Sequence, residues 1–258
     1  AELLTAFRTV YPDIIGAYEK IRFSTKDLPE SQFLYGEQAP EPLLVTENGV
    51  QFATYLNEGL MTGIFLDQKE VRGRLVDGFA VGKTVLNMFS YTGAFSVAAA
   101  MGGAVATTSV DLAKRSLPKT TEQFEVNHLN LAAQKIIVMD VFDYFKYASR
   151  KGLSYDMIIL DPPSFARNNK KVFSVAKNYG ELVKDSIDIL TDKGTLIAST
   201  NAANLSLAKY KKMVITALQE KNVRYKITDT YQLPADFQVN PNFPEGNYLK
   251  VLFIEIEK

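Results

Sequence analysis

The chain has no cysteine among its 258 residues and a single histidine, His128. Lacking thiols, it can form no disulfide, no thiolate metal site and no covalent intermediate on a cysteine nucleophile. With one imidazole, a zinc site would have to rest on carboxylates, which suit harder cations, so no metal is expected. Charge of one sign is also lacking: 29 basic and 29 acidic residues give a formal net charge of zero. A strongly electropositive body is therefore excluded, and contact with nucleic acid must use a local patch or a separate module. Long apolar runs are missing as well. The longest weakly polar window, residues 94–106, is too short for a membrane span and contains Gly102-Gly103. Hydrophobic content of 47% and charged content of 22% are those of an ordinary globular protein, long enough for one large domain or a large and a small one. A cytoplasmic protein without a membrane partner, monomeric or homodimeric, is expected.

From about Val85 onward, short apolar runs alternate with helical stretches. "TVLNMF" (84–89), "ATTSVD" (106–111), "KIIVMD" (135–140), "YDMIILD" (155–161) and "GTLIAST" (194–200) read as strands. Between and after them, 93–103, 114–129, 141–152, 172–191 and 206–222 read as helices. Strands apolar on both faces, alternating with helices, predict an α/β fold with a doubly wound, mostly parallel sheet. The last two strands, 225–233 and 248–257, have no helix between them and are expected to form an antiparallel hairpin. That ending matches a class I methyltransferase sheet. The first 64 residues differ. "EPLLVTENGVQFATYL" (41–56) carries two β-rich runs around Asn48-Gly49, and 16–23 reads as another strand. A small β-rich lobe over 1–64 followed by a catalytic domain over 65–258 is expected.

In open α/β sheets ligands gather at the carboxyl ends of the strands, and the first βα turn is the usual cofactor seat. Here that turn is "NMFSYTGAF" (87–95), with one glycine, Gly93, where a pyrophosphate cradle would want several. One glycine suits a nucleoside without phosphates, while Asn87, Ser90 and Thr92 offer polar groups to an amino-acid moiety. Asp111 ends the second strand 18 residues past Gly93, a spacing suited to both ribose hydroxyls. Asp140 ends the third strand, where an adenine amino group would lie. Strand-terminal aspartates are equally at home as helix N-caps. Three in order, Asp111, Asp140 and Asp161, form the pattern of an S-adenosylmethionine site.

After Asp161, Pro162 and Pro163 fix two φ angles and remove two amide donors. Their neighbours' carbonyls, with the carboxylate, make a set of acceptors for the edge of a planar base, and Phe165 is placed to stack on it. The alternative is a plain strand-stopping turn. The following "ARNNKK" (166–171) reads as a mobile basic lip or simply a solvated loop.

The stretches "FLDQKEVR", "LNMFSYTGAFSVAAAMGG", "SVD", "DVFDYF", "DPPSFAR" and "FPEGNYLK" resemble the bacterial large-subunit ribosomal RNA methyltransferases that use S-adenosylmethionine, from about Thr46 to the C-terminus. That family includes a 5-methylcytosine enzyme and the 7-methylguanine half of a bifunctional one. Its full-length members carry an N-terminal PUA RNA-binding domain and a β-rich linker domain, so this chain is expected to begin after the PUA domain. The resemblance implies cofactor contacts from Phe89, Ser90, Tyr91, Thr92 and Gly93, from Asp111, from Asp140 with Val141, and from Asp161. It also implies that Gln68 reaches over the cofactor; from the residues alone Gln68 reads as a surface helix position.

One departure bears on chemistry. Relatives that methylate cytosine C5 have a cysteine past the fifth strand, where this chain has "IASTNAAN". Carbon 5 needs attack at C6 by a thiolate, so that route is closed here. Guanine N7 has a free lone pair and needs mainly positioning. It is the favoured acceptor, with Asp161, Pro162, Pro163 and Phe165 gripping the base and Asn201 donating to O6. An exocyclic amine is the runner-up. Competing classes are a methyltransferase for protein or small molecules and a silent binding module. His128 and "KYKK" (209–212) read as surface, and Phe142 and Phe145 as core. Phe243 and Tyr248 are candidates for base contact.

Overall fold

A computed structural model describes residues 2–23, 28–60, 62–168 and 171–258. The chain divides into two compact units, one of 1–46 with 51–64 and one of 47–50 with 65–258.

The smaller unit opens with helix α1 (Glu2–Val10), which the β-rich expectation missed. Strands β1 (Gly16–Lys20) and β2 (Ser31–Gly36) pair antiparallel, and β3 (Leu43–Glu47) pairs with β4 (Val50–Thr54). Asn48 and Gly49 turn that second hairpin with φ of 52° and 76°, the left-handed geometry that an Asn-Gly pair supplies at low strain. Lys20 donates to Ser31 Oγ and to the carbonyls of Leu56, Glu58 and Gly59, drawing the segment after β4 onto β1.

The larger unit runs through a 3-10 turn (Leu66–Gln68) into α2 (Lys69–Arg74), then β5 (Thr84–Met88), α3 (Ala94–Met101), β6 (Ala106–Asp111), α4 (Ser116–Glu125), β7 (Gln134–Val138), α5 (Val141–Arg150) and β8 (Tyr155–Leu160). A small hairpin follows, β9 (Phe165–Asn168) with β10 (Lys171–Ser174), then α6 (Val175–Ile189), β11 (Leu190–Thr200), α7 (Leu207–Glu220), β12 (Arg224–Tyr231) and β13 (Lys250–Glu257). The central sheet has seven strands in the order β12-β13-β11-β8-β5-β6-β7. β7, β6, β5, β8 and β11 are parallel; β13 is antiparallel to both β11 and β12.

Alternation along the strands shows why both faces are covered. Val85, Met157, Ile159, Ile197 and Phe253 pack with Val71, Leu75, Phe95 and Ala98 from α2, the segment after it and α3. Their neighbours Leu86, Met88, Ile158, Leu160, Leu196 and Ile254 face Tyr144, Phe145, Tyr179, Leu182, Tyr210 and Val214 from α5, α6 and α7. Each large apolar side chain fully buried this way contributes about 1.5–3 kcal/mol. The chain leaves β5 toward β6 and β7, then returns to β8 on β5's other side, so the crevice lies at the carboxyl ends of β5 and β8.

Three local expectations are corrected. The stretch 171–174 is a strand, so helix α6 starts at Val175, and 165–168 is its hairpin partner where a loose lip was expected. Asn169 and Lys170 of that lip lie outside the described residues. In "KYKK", Tyr210 is fully buried, because helical spacing turns it inward between solvated lysines. Phe145 is buried as expected and His128 is exposed. Among the described residues no helix is long and apolar enough to cross a membrane.

Candidate active site

The β5–α3 turn is held in an uncommon shape. Phe89, Tyr91 and Gly93 have φ of 59°, 51° and 78°. Left-handed geometry at Phe89 and Tyr91 costs of order 1 kcal/mol or more each and persists only where neighbours enforce it. Here β6 enforces it: Ser90 N–H donates to the Val110 carbonyl at 3.0 Å, and Tyr91 N–H to Asp111 Oδ2 at 2.9 Å. At Gly93 the missing side chain leaves room for α4, since a Cβ there would meet Thr120 Cγ2 at 2.5 Å. The glycine therefore serves helix packing as well as the turn.

Asp111 accepts from Tyr91 N–H with Oδ2 and from Ala113 N–H with Oδ1 at 2.8 Å. Asp140 caps α5, its Oδ1 accepting from Phe142 and Asp143 N–H at 3.1 and 3.4 Å. Both aspartates thus perform the local duty that strand-end acids commonly have. A carboxylate offers roughly four lone-pair sites, so acceptor capacity remains on each. Val141, the first residue of α5, is buried.

Gln68 is not a surface residue: it is 3% exposed and its Nε2 donates to Asp161 Oδ1 at 3.1 Å and to Ser199 Oγ at 2.8 Å. Ser199 Oγ donates in turn to the same Asp161 Oδ1 at 2.8 Å. The three groups close a triangle across the 3-10 turn, the end of β8 and the end of β11. Asp161 lies where desolvation raises its carboxyl to about 6. The Ser199 and Gln68 hydrogen bonds and the Arg72 charge oppose that rise, and the Asp67 carboxylate adds to it.

From the opposite face, Tyr179 on α6 donates to the Ser199 carbonyl at 2.8 Å, and Tyr210 on α7 donates to Tyr179 at 2.7 Å. Arg72, 2% exposed, forms a bidentate pair with Glu47 at 2.7 and 2.8 Å and donates to the Phe65 carbonyl, fixing the turn that carries Gln68. Tyr179, Tyr210 and Asp67 were not singled out from sequence, and Ser199 only as part of "IASTNAAN". No pattern marks a serine or a buried tyrosine as special before the fold brings it to Asp161.

Pro162 is buried, Pro163 is exposed, and Phe165 is 61% exposed. Ser164 Oγ donates to Asn201 Oδ1 at 2.6 Å, which ties the Pro-Pro segment to the end of β11. Phe173 on β10 packs against Phe89 and Phe142, at ring separations of 5.9 and 6.1 Å, so the hairpin is anchored to the β5–α3 turn and the start of α5. Buried Lys250 donates to the Ala202 and Tyr248 carbonyls and fixes the loop after Asn201.

The residues fit a polar organic ligand. Gln68 Oε1, Asn87 Oδ1 and Ser90 Oγ are buried and take no partner among the described residues. Leaving such atoms unpaired costs about 1–3 kcal/mol each, which a ligand's polar groups would recover.

The profile of the S-adenosylmethionine-dependent methyltransferases matches residues 20–232. The chain belongs to that family. YwbD of Bacillus subtilis (strain 168), provisionally named a ribosomal RNA large subunit methyltransferase, is 52% identical over 255 residues, covering 98% of this chain and 64% of its own length. A ribosomal RNA large subunit methyltransferase of Deinococcus radiodurans is 33% identical over 231 residues, covering 89% of this chain and 56% of itself. The solved structure of SMU.776, a provisionally assigned methyltransferase complexed with SAH, superposes with a TM-score of 0.92 at 56% identity, covering 98% of this chain and 65% of that one. The chain spans under two thirds of the length of each. The strand order and the antiparallel β13 are those of the class I methyltransferase sheet.

Proposed function

We propose that this chain is the catalytic part of a cytoplasmic S-adenosylmethionine-dependent methyltransferase that modifies a base of large-subunit ribosomal RNA. The observation that carries it is the Gln68–Ser199–Asp161 triangle, placed beside the strained β5–α3 turn and followed by Pro162, Pro163 and exposed Phe165. The SAH complex of SMU.776 and the names of the relatives support the cofactor and the substrate class.

Asp111 would receive the ribose hydroxyls, Asp140 and the Val141 amide the adenine edge, and Phe89 to Gly93 with Gln68 the remainder of the cofactor. When bound, S-adenosylmethionine supplies an electrophilic methyl group on a sulfonium. The protein's part is to bring a ring or exocyclic nitrogen into line with that methyl. Phe165 offers a free aromatic face for a base, and Asp161 with the Pro-Pro carbonyls offers acceptors to its edge. Asn201 accepts from Ser164 through Oδ1, which leaves its amide N–H groups to donate, as guanine O6 requires. The full absence of thiols removes the covalent route to carbon 5, so guanine N7 is the favoured acceptor.

A second acceptor, an exocyclic amine, is favoured by one observation. A carboxyl raised to about 6 suits a group that takes up a proton near neutral pH. Methyl transfer from labelled cofactor to ribosomal RNA, protein and metabolite pools, with mass spectrometry of the digested nucleosides, tests both readings. Label in 7-methylguanine supports the first, and label on an exocyclic nitrogen the second. Label found only in protein or metabolites would reject the ribosomal assignment.

A further inference from the structure

Charge runs along α6 and α7 against the helix dipoles. A helix start favours acidic side chains and its end basic ones. Neither α6 nor α7 has an acidic residue in its first turn or a basic one in its last. Lys177 lies at the start of α6, and Lys209, Lys211 and Lys212 at the start of α7. Lys177, Lys209 and Lys212 are exposed, and no carboxylate pairs with any of the four among the described residues. Farther along, the cations are neutralised. Lys184 bridges Glu181 and Glu220 at 2.8 and 3.1 Å, and Lys221 pairs with Asp188. The two helices follow the parallel strands β8 and β11, so both begin at the carboxyl edge of the sheet. The Tyr210–Tyr179 hydrogen bond holds their first turns side by side. A chain of zero net charge therefore gathers four unpaired lysines at one corner, where the positive ends of two helix dipoles add to them.

We propose that the paired starts of α6 and α7, through Lys177, Lys209, Lys211 and Lys212, hold the phosphates of a single RNA strand beside the nucleotide being modified. The inference rests on the RNA methyltransferase function proposed above and adds to it the surface that seats the strand. Both elements that carry base-facing residues run straight into this corner. The hairpin that opens with Phe165 ends at Ser174, the residue before α6, and the loop that opens with Asn201 ends at Ser206, the residue before α7. A base lying on Phe165 thus has its own backbone next to the lysines.

The surface chemistry favours a polyanion over a membrane or a protein partner. No large apolar side chain is exposed on α6 or α7 among the described residues. A helix that lies on a bilayer needs such side chains to insert, and a protein interface needs them for its core. Cations without an apolar centre, beside an exposed aromatic ring, match the phosphates and the unstacked base of a single strand.

Fluorescence anisotropy of a labelled single-stranded RNA of mixed sequence, titrated with the whole chain at several salt concentrations, tests the surface. One triple variant carries Lys177→Gln, Lys209→Gln and Lys212→Gln. A second carries Lys135→Gln, Lys151→Gln and Lys226→Gln, three exposed lysines at the opposite edge of the sheet, with the same change in net charge. Melting curves and S-adenosylhomocysteine affinity confirm that both are folded. Each phosphate contact on a single strand contributes about 0.7 to the slope of log affinity against log salt, so the first variant is expected to flatten it by about 2. Its affinity at low salt is expected to fall about tenfold or more, and the second variant is expected to keep the wild-type slope. Equal flattening in both variants, or none in the first, would overturn the surface and leave the methyltransferase function standing. Loss of binding to phosphatidylglycerol vesicles in the first variant, with RNA affinity unchanged, would overturn it as well. A wild-type chain that binds S-adenosylhomocysteine but neither binds nor methylates RNA would reject the RNA function itself, and the surface with it.

Discussion

Tyr179 grips the backbone carbonyl of Ser199 from the sheet face opposite to Gln68, at 2.8 Å. The end of β11 is therefore held from both sides, by a side-chain triangle on one and by two hydrogen-bonded tyrosines on the other. The rings of Tyr179 and Tyr210 meet edge to face at 5.2 Å. The direction of their hydrogen bonds predicts an order of stabilities. Tyr210→Phe removes one donor and leaves Tyr179 bonded to Ser199, costing about 1 kcal/mol. Tyr179→Phe strands both the Tyr210 hydroxyl and the Ser199 carbonyl in a dry interior, costing about 2–3 kcal/mol. Urea unfolding of both variants checks the ranking.

Asp161 costs the native state stability at neutral pH. Its folded-state carboxyl is raised to about 6 from an ordinary 3.8, so the native state holds this proton more tightly than the unfolded chain does. Its contribution to stability is therefore greatest below about 3.8, declines as pH rises toward 6, and is lost above it. The penalty at pH 8 is at most about 3 kcal/mol. Asp161→Asn keeps an acceptor for Gln68 and Ser199 without the charge. It is expected to raise Tm by roughly 5 °C at pH 8 and hardly at all at pH 4, while Asp161→Ala abolishes methyl transfer. Calorimetric melts at the two pH values and a turnover assay measure this. Turnover of Asp161→Ala within a few-fold of wild type would remove Asp161 from the mechanism.

The Arg72–Glu47 pair fixes the turn that bears Gln68. The Arg72 side chain is 2% exposed and that of Glu47 10%. Arg72→Met leaves a buried, unpaired carboxylate and is expected to cost about 3–5 kcal/mol. Arg72→Met with Glu47→Gln removes the stranded charge and is expected to recover a large part of the loss. Chemical denaturation of the single and double variants tests the coupling.

Gly93 is constrained twice, by φ of 78° and by Thr120 across the turn. Gly93→Ala is expected to lose about 1–3 kcal/mol. Adding Thr120→Ser removes the clashing methyl and restores only the steric part, leaving the backbone strain. A Tm series over the two single variants and the double separates the contributions.

Much of the larger unit was legible because its strands announce themselves. "MIIL" and "LIA" are apolar at every position, as a sheet covered on both faces demands, and they lie in β8 and β11. Asp111, Asp140 and Asp161 could be placed because each lies at or within two residues of the carboxyl end of a parallel strand, β6, β7 and β8. Gln68 could not be read from the residues: a polar side chain in a charged stretch looks solvated, and only long-range contact with Asp161 and Ser199, 93 and 131 positions away, buries it. Tyr210 was hidden for the same reason among three lysines. The β9–β10 hairpin was missed because its strands are four residues each, too short for a period to show. Helix α1 buries no residue, so its apolar positions gave no core pattern consistent with the β-rich expectation.

The most direct test of the account is a crystal structure of this chain with S-adenosylhomocysteine. The account predicts the adenosine between Asp111 and Asp140 and the homocysteine along the strained turn at Ser90 and Tyr91. Density for the ligand away from the carboxyl ends of β5 and β8, or that crevice closed by its own side chains, would contradict it.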